Sequence, residues 1–354
     1  MLIAPADTIA RTLSGFVSGL RLQQVPPATS LRARYLMLDA FGCALAARKE
    51  PFALKFAQAM QALATSAGTE RGGRGLFGFA QRLPARDAAL LNGILAHGLD
   101  YDDTHMAGIV HLSVSVLPTL YALAGEKRSS GAEILVAYIA ALEAGARLAS
   151  AACAGFHAHG FHPTGMIGIF ASTLAAGRLL GLDAGQLVHA QGIALSMASG
   201  SLEFLEDGAW TKRVHPGWAA QAAITAATFA ANGIIGPQAP YEGRYGLYHC
   251  YLGEAEYGKI DLSLATKGLQ SDGSATHWEL ENIAVKPFPV CHFVHASADA
   301  AITLHRSGLD AKRIRSVEVL VPAGVVQAVC EPIALKRRPV SDYDAKFSLP
   351  YAVA

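Results

Sequence analysis

Apolar residues recur at three- and four-residue intervals along most of the chain, the spacing of one face of an α-helix. Such patterns predict helices over Ser30–Ala47, Pro84–Leu99, Val114–Ala124, Gly131–Ala149, Gly165–Leu180, Ala184–Gly200 and Pro216–Asn232. Pro84–Leu99 shows the logic: Pro84 suits a first turn, Asp87 sits near the positive helix end, and Leu90, Leu91, Ile94, Leu95 and Leu99 share a face. Ala, Gly and Ser are dense in Ala171–Gly177 and Ala219–Ala231, and small faces let helix axes approach closely. Gly181 and Gly233 read as C-terminal caps.

After about residue 262 the texture changes. Trp278–Val285 and Ile314–Val321 are β-branched and partly alternating, predicting strands, with a helix over Ala296–Leu304 between them. The expected fold is mainly α: a large all-helical domain over 1–262 and a smaller α+β lid domain over 263–354. Ser341 opens a capped helix. The chain then stops on the apolar Pro350-Tyr-Ala-Val-Ala354, which reads as a shortened C-terminus.

Composition narrows the function classes. Of 354 residues 52% are apolar and 16% charged, against roughly 25% charged in average domains. A chain this poor in charge is expected to bury an apolar face in a homodimer. Lys+Arg number 29 and Asp+Glu 28, with no basic stripe, so no nucleic-acid partner is expected. Lys336-Arg337-Arg338 reads as a solvated loop. Cys43, Cys153, Cys250, Cys291 and Cys330 are odd in number and lack CxxC spacing, which fits a reducing, cytoplasmic setting. The N-terminus, with Asp7 and Arg11 in its apolar run, reads as a helix start and not a signal peptide. No charge lies between Arg213 and Glu242, but Gln221, Thr225, Thr228 and Asn232 break that stretch. An interior helix is expected there, not a membrane span.

Four clusters can carry chemistry. Asp100-Tyr-Asp-Asp-Thr-His105, followed by His111, gathers carboxylates, a hydroxyl and imidazoles after an apolar helix. His157, His159 and His162 fall within six residues, and Pro163 places His162 at a helix N-terminus, where anions are favoured. Lys212 and Arg213 lie beside the long uncharged stretch, where a lysine can serve as acid or base. Lys286-Pro-Phe-Pro-Val-Cys-His292 reads as a rigid loop carrying an anion clamp, with Cys291 a weaker candidate nucleophile. Alone, each equally suits a polar loop. Together they mix cations with hydrogen-bond donors at helix ends, which suits a substrate with several carboxylates.

In this order the clusters resemble the MmgE/PrpD family. The stretches that carry the resemblance are Ala96-His-Gly-Leu-Asp-Tyr-Asp-Asp-Thr-His105, His111-Leu-Ser-Val-Ser-Val-Leu-Pro118 and Gly160-Phe-His-Pro-Thr-Gly165. Gly208-Ala-Trp-Thr-Lys-Arg-Val-His-Pro-Gly-Trp-Ala219, Lys286-Pro-Phe-Pro-Val-Cys-His292 and Ala345-Lys-Phe-Ser-Leu-Pro-Tyr351 complete it. The resemblance implies a homodimer with an active site between a helical domain and a lid, and no metal or organic cofactor. Its members include 2-methylcitrate dehydratase, cis-aconitate decarboxylase and iminodisuccinate epimerase. In the decarboxylase branch, residues matching Asp100, Thr104, His111, His162, Lys212 and Lys286 line the pocket, and a lid histidine aligns with Cys291, next to His292. The sequence departs from that branch in two places: a lid tyrosine falls near Ala328, and the Thr104–His111 spacing is one residue longer. The family also continues past residue 354.

The activity expected from the resemblance is a lyase of the 2-methylcitrate dehydratase kind, acting on a small polycarboxylate in propionate metabolism. An epimerase or decarboxylase of the same family is the alternative. His111 or Lys212 is expected to move the proton at carbon, with Asp100 orienting His111. Thr104, Asp103, His162, Lys286 and His292 are expected to hold the substrate. Two readings of other classes stand beside it: a metal-dependent hydrolase using Asp100, Asp102, His105 and the 157–162 histidines, and a non-catalytic dimeric remnant.

Overall fold

A computed structural model describes residues 8–64 and 73–354; Asp7, part of the expected N-terminal helix start, lies outside them. The chain runs α1 (Ile9–Gly19), α2 (Pro27–Ala47), α3 (Pro51–Leu63), the hairpin β1 (Arg74–Leu76) and β2 (Phe79–Leu83), then α4 (Ala85–Ala96) and β3 (Thr104–His105). It continues through α5 (Ser113–Lys127), α6 (Gly131–Ala152), α7 (Gly155–Ala158), α8 (Pro163–Leu180), α9 (Ala184–Leu195), α10 (Phe204–Asp207), α11 (Val214–Ala231) and α12 (Leu247–Tyr257). Last come β4 (Ile283–Ala284), α13 (His295–Arg306), α14 (Ala323–Val329), α15 (Ile333–Arg337), α16 (Asp342–Ala345) and α17 (Leu349–Val353). The fold is mainly α, as expected.

Local signals set the ends of these helices. At α6, Ser130 Oγ accepts the Glu133 N–H at 3.2 Å and the Glu133 carboxylate accepts the Ser130 N–H at 2.7 Å, a reciprocal cap. Asp183 and Gln186 repeat it at α9. Gly181 closes α8 at φ 78°, a conformation side chains disfavour.

The centre of the large core is α8 against α11, flanked by α4, α5, α6 and α9. Their closeness depends on small residues. A Cβ on Gly93 would stand 2.6 Å from the Gly217 Cα, so α4 and α11 touch backbone to backbone. Helix α6 is long and apolar enough to cross a membrane, but 89% of its most apolar window is buried in this core.

Two polar networks are sealed within it. Glu143 and Arg147 of α6 pair at 2.7 Å. Glu143 also accepts the Glu279 and Leu280 N–H groups at 3.0 Å each, and Arg147 donates to the His277 carbonyl at 2.9 Å. This pair fastens the segment that leads into β4. In the second, the Asp103 carboxylate accepts from Ser113 Oγ, which lies 2.5 Å from the Tyr138 hydroxyl. Burial holds the Asp103 carboxyl up at about 8, with the nearby Asp102 charge also raising it and the Ser113 hydrogen bond opposing.

Several expectations need correction. The hairpin β1–β2 interrupts a region read as helical throughout. Trp278–Val285 is a 3-10 turn over Glu279–Asn282 followed by the two-residue β4, which pairs antiparallel with β3. Ile314–Val321 forms no strand; its residues are mostly exposed and no neighbouring strand offers backbone partners. Among the described residues, 288–354 hold helices only. Ala265, Leu269, Leu280 and Ile283, placed in the lid by sequence, pack in the large core. A second core gathers Cys291, Val294, Ala298, Val329, Tyr343, Phe347 and Leu349 with Phe204. Lys336, read as a solvated loop, is 2% exposed, because α15 packs against α17.

Two outcomes follow for stability. Gly217→Ala forces a methyl against the Leu90 carbonyl and should destabilise by about 1–3 kcal/mol, read as a lowered melting temperature; an unchanged midpoint would contradict the backbone contact. Asp103 is raised in the fold above its ordinary 3.8, so its stabilisation is complete below that value and is lost as pH rises through about 8. Melting should therefore fall less steeply between pH 3.8 and about 8 in Asp103→Asn than in the wild type. Parallel curves would contradict the raised carboxyl.

Candidate active site

The loop after α4 turns sharply. His97 caps the helix, and Asp100 adopts φ 54°, a left-handed conformation that is rare outside glycine. Ile109, at φ 50°, is a second such residue, and both line the same cleft. Strained backbone of this kind clusters where side chains must be aimed.

The turn aims a fully buried carboxylate at two ammonium groups. Lys212, on the 3-10 turn Trp210–Arg213, pairs with Asp100 Oδ1. Lys286, just after β4, donates to Asp100 Oδ2 at 3.1 Å and to the Asp100 carbonyl at 2.8 Å. Burial alone would push the Asp100 carboxyl up, but Lys212 and Lys286 together hold it well below the usual carboxylate range. The β3–β4 pairing and the Glu143–Arg147 fastening bring Lys286 to this place. Arg213, beside Lys212, is anchored by donation to the Gly98 carbonyl at 2.8 Å.

Imidazoles form the opposite side. His111 Nδ1 lies 2.6 Å from the Asp103 carbonyl, which can only accept, so Nδ1 carries the proton and Nε2 keeps its lone pair. Asp102 Oδ2 stands 3.4 Å from the same Nδ1, while both Asp102 oxygens accept from His97 Nδ1 at 2.9 Å. Burial tends to raise the Asp102 carboxyl, yet His97 and His111 bring it down to about 2. His162 and His215 meet Nδ1 to Nδ1 at 2.9 Å. The His111 ring centre lies 6.2 Å from that of His162 and 6.1 Å from that of His292. Burial pushes the His111 and His162 imidazoles well below their ordinary value and His292 down to about 3. At neutral pH the resting cleft therefore holds neutral imidazoles beside cationic lysines.

The cleft is narrow, with a cavity volume of about 30 Å³, room for a water or two before its walls adjust. Asp100, His111, His162, Lys212, Lys286 and His292 all line it, and so does His157. Its remaining wall is apolar, with Phe204, Phe293, Phe347 and Ala328 between the large core and the small one.

Six of the eight residues expected at the site thus meet in one cleft. Asp103 and Thr104 do not line it. The Asp103 carboxylate is turned to Ser113, and Thr104 pairs with Ala284 of β4, its hydroxyl buried without a hydrogen-bond partner. Asp100, expected to orient His111, is taken up by the lysines; Asp102 stands beside His111 instead. His159 lies outside the cleft, its ring stacked on Phe161. Burial raises the Cys291 thiol, which argues against a nucleophile. The side chains of the metal-hydrolase reading diverge: His105 turns to Glu279 at 3.2 Å, away from Asp100 and Asp102. Among the described residues no three His, Cys, Asp or Glu side chains converge as a metal site. Sequence reasoning passed over His97, because it follows the apolar run Ile94-Leu95-Ala96 and looks like a core histidine; Asp102, five residues on, was the available signal.

Comparison with known proteins gives the lineage. The chain is 28% identical to cis-aconitate decarboxylase of Aspergillus terreus (strain NIH 2624 / FGSC A1156), covering 96% of this chain and 69% of that protein. It is 27% identical to the cis-aconitate decarboxylase-like protein oryM of Aspergillus oryzae, over 86% of this chain and 63% of the relative. With cis-aconitate decarboxylase of Homo sapiens it shares 32% identity over 76% of this chain, spanning 54% of the human protein. Residues 11–259 match the MmgE/PrpD N-terminal domain and residues 288–354 the MmgE/PrpD C-terminal domain, and the chain therefore belongs to the MmgE/PrpD family.

Proposed function

We propose that this chain is a lyase that breaks a bond at a carbon next to a carboxylate of a small polycarboxylate, using its own side chains for the proton transfers. The observation that carries the reading is the pairing of Asp100 with Lys212 and Lys286 across from the free Nε2 of His111, in one enclosed cleft. Two ammonium groups share the Asp100 carboxylate at the cleft, while Asp102 faces His97 and His111 behind it. The carboxylates of a polyanionic substrate compete with Asp100 for the same two donors.

The chemistry follows from the same charges. When a bond breaks beside a carboxylate, the electron pair left on carbon spreads into that carboxylate. Cations already in place stabilise it, and in a dry site they act far more strongly than in water. His111 moves the proton. Its Nε2 is unprotonated at rest, and Asp102 beside Nδ1 stabilises the imidazolium once a proton arrives. His162 and His292 gain protons more readily when an anion enters, and so strengthen the hold on its carboxylates.

The named relatives favour a carboxy-lyase acting on a cis-aconitate-like triacid. The 2-methylcitrate hydro-lyase is the second reading: Ala328 lines the cleft, and the resemblance puts the decarboxylase branch's lid tyrosine near this position, which counts against decarboxylation. We further propose a homodimer: Leu31, Tyr35 and Leu38 form an exposed stripe on α2 that a second copy would cover.

Three measurements check these statements. NMR of the purified protein with cis-aconitate and with 2-methylcitrate separates loss of CO2 from loss of water; no turnover of either would sink the lyase reading. His111→Ala should lower turnover by roughly 10²–10⁴-fold, and Lys212→Ala should both slow turnover and weaken substrate binding. If both variants keep wild-type rates, the assignment is wrong. Light scattering should give twice the chain mass, and a monomer would remove the dimer.

A further inference from the structure

We infer that His215 and His162 form a proton relay that carries one proton from solvent into the cleft in each turnover. The inference rests on the carboxy-lyase reading, because that reaction has a net proton demand. The carbon–carboxylate bond breaks, CO2 departs, and the electron pair stays on carbon. A new C–H bond then takes up one proton that the substrate does not provide. A hydro-lyase differs: the proton removed from carbon leaves with the hydroxide as water, and nothing is owed to the cleft. An enclosed site that consumes a proton per cycle needs a route for its replacement.

The geometry supplies one. His162 is 2% exposed and lines the cleft, whereas His215 is half-buried and does not line it. The two rings meet through their Nδ1 atoms at 2.9 Å. Each ring therefore keeps its Nε2 for another partner, and His215, the more exposed of the two and absent from the cleft lining, is the solvent end of the pair. A proton taken up at His215 Nε2 releases the Nδ1 proton to His162 Nδ1, and His162 then gives up its own Nε2 proton into the cleft; each ring is left as its other tautomer, and rotation of the two rings restores the starting arrangement before the next turnover. There, His111 passes it to carbon, its ring centre 6.2 Å from that of His162. The pair has low affinity for a resident proton. Burial lowers both imidazoles, and the neighbouring His97 and Lys212 charges add to it, with His215 brought to about 4. A relay group must release what it receives, and a ring that held its proton tightly would stop the transfer.

The backbone keeps the pair aligned. The His162 N–H donates to the Gly200 carbonyl at 2.9 Å. Gly200 has φ 149°, and a Cβ there would lie 3.4 Å from His215 Nδ1. Phe204 walls both rings at centroid distances of 6.0 and 6.1 Å, leaving the imidazole contact as the polar path on that side.

The test uses the whole chain with cis-aconitate, following CO2 release. His215→Gln and His215→Ala should each lower kcat by on the order of 10²-fold, with KM little changed and a larger solvent deuterium isotope effect. Free imidazole should restore the His215→Ala rate, since it can occupy the vacated space and carry the proton. His215→Gln keeps the space filled and should not be rescued. Wild-type kcat in either variant overturns the relay, and so does a folded His215→Ala variant whose loss imidazole leaves untouched. If His215→Ala does not fold, His215→Gln decides by its rate and isotope effect against an unchanged melting temperature. A wild-type protein that eliminates water and releases no CO2 overturns the carboxy-lyase reading and the relay together, which separates that failure from the failure of the relay alone.

Discussion

Taking one carboxylate and two ammonium groups out of water costs several kcal/mol per ion before their attraction is counted. Asp100, Lys212 and Lys286 make that arrangement tolerable because each reaches it from a separately braced element. Asp100 is aimed by a left-handed turn after α4, Lys212 by the turn that opens α11, and Lys286 by the short strand pairing with β3. Removing Asp100 leaves two buried ammonium groups without their shared partner, whereas removing either lysine leaves the other paired. The close backbone contact of α4 with α11 keeps two of the three anchors at a fixed separation.

The same low-dielectric environment explains the histidines. In water their rings would be partly charged near neutral pH. Beside two lysines and away from solvent they stay neutral, so the cleft carries its positive charge on the lysines alone. Under the proposed function an incoming polyanion would shift that balance toward the protonated rings, so that one set of side chains would serve as bases at rest and as acids with the ligand bound.

Much of this was legible in the sequence, for physical reasons. The helices of the large core follow from three- and four-residue apolar spacing and from caps such as Ser130 and Gly181. Asp100, His111, His162, Lys212, Lys286 and His292 stood out as polar groups at helix ends and loop tips, where the fold does converge. The lid was less legible. β-branched runs such as Ile314–Val321 have strand propensity, but a strand requires a neighbour, and the sequence does not say whether one is present. Asp103 and Thr104 fall outside the cleft lining for separate reasons that a linear reading does not show: the Asp103 carboxylate is taken up by Ser113, and Thr104 pairs with Ala284 of β4. Lys336 was misread because a basic triplet gives no sign of the α17 residues that cover it. His97 was passed over, and Asp102 was given only a metal-ligand role, for the reverse reason: a buried polar pair behind a site looks like core in a linear reading.

Arg213 ties the two halves of the molecule together. Its guanidinium lies 4.0 Å from the centre of the Phe52 ring on the helical side and 3.4 Å from the centre of the Tyr343 ring on the lid side. Phe347, one turn beyond Tyr343, lies under the ammonium group of Lys212 at 4.8 Å. The neighbouring cations Arg213 and Lys212 are thus both covered by aromatic rings from the segment that holds α16. Undocking that segment would expose both at once, hydrate the Lys212–Asp100 pair and weaken its electrostatic grip. The burial of the Lys212–Asp100 pair therefore depends on the seating of this segment, because the rings that cover the two cations belong to it.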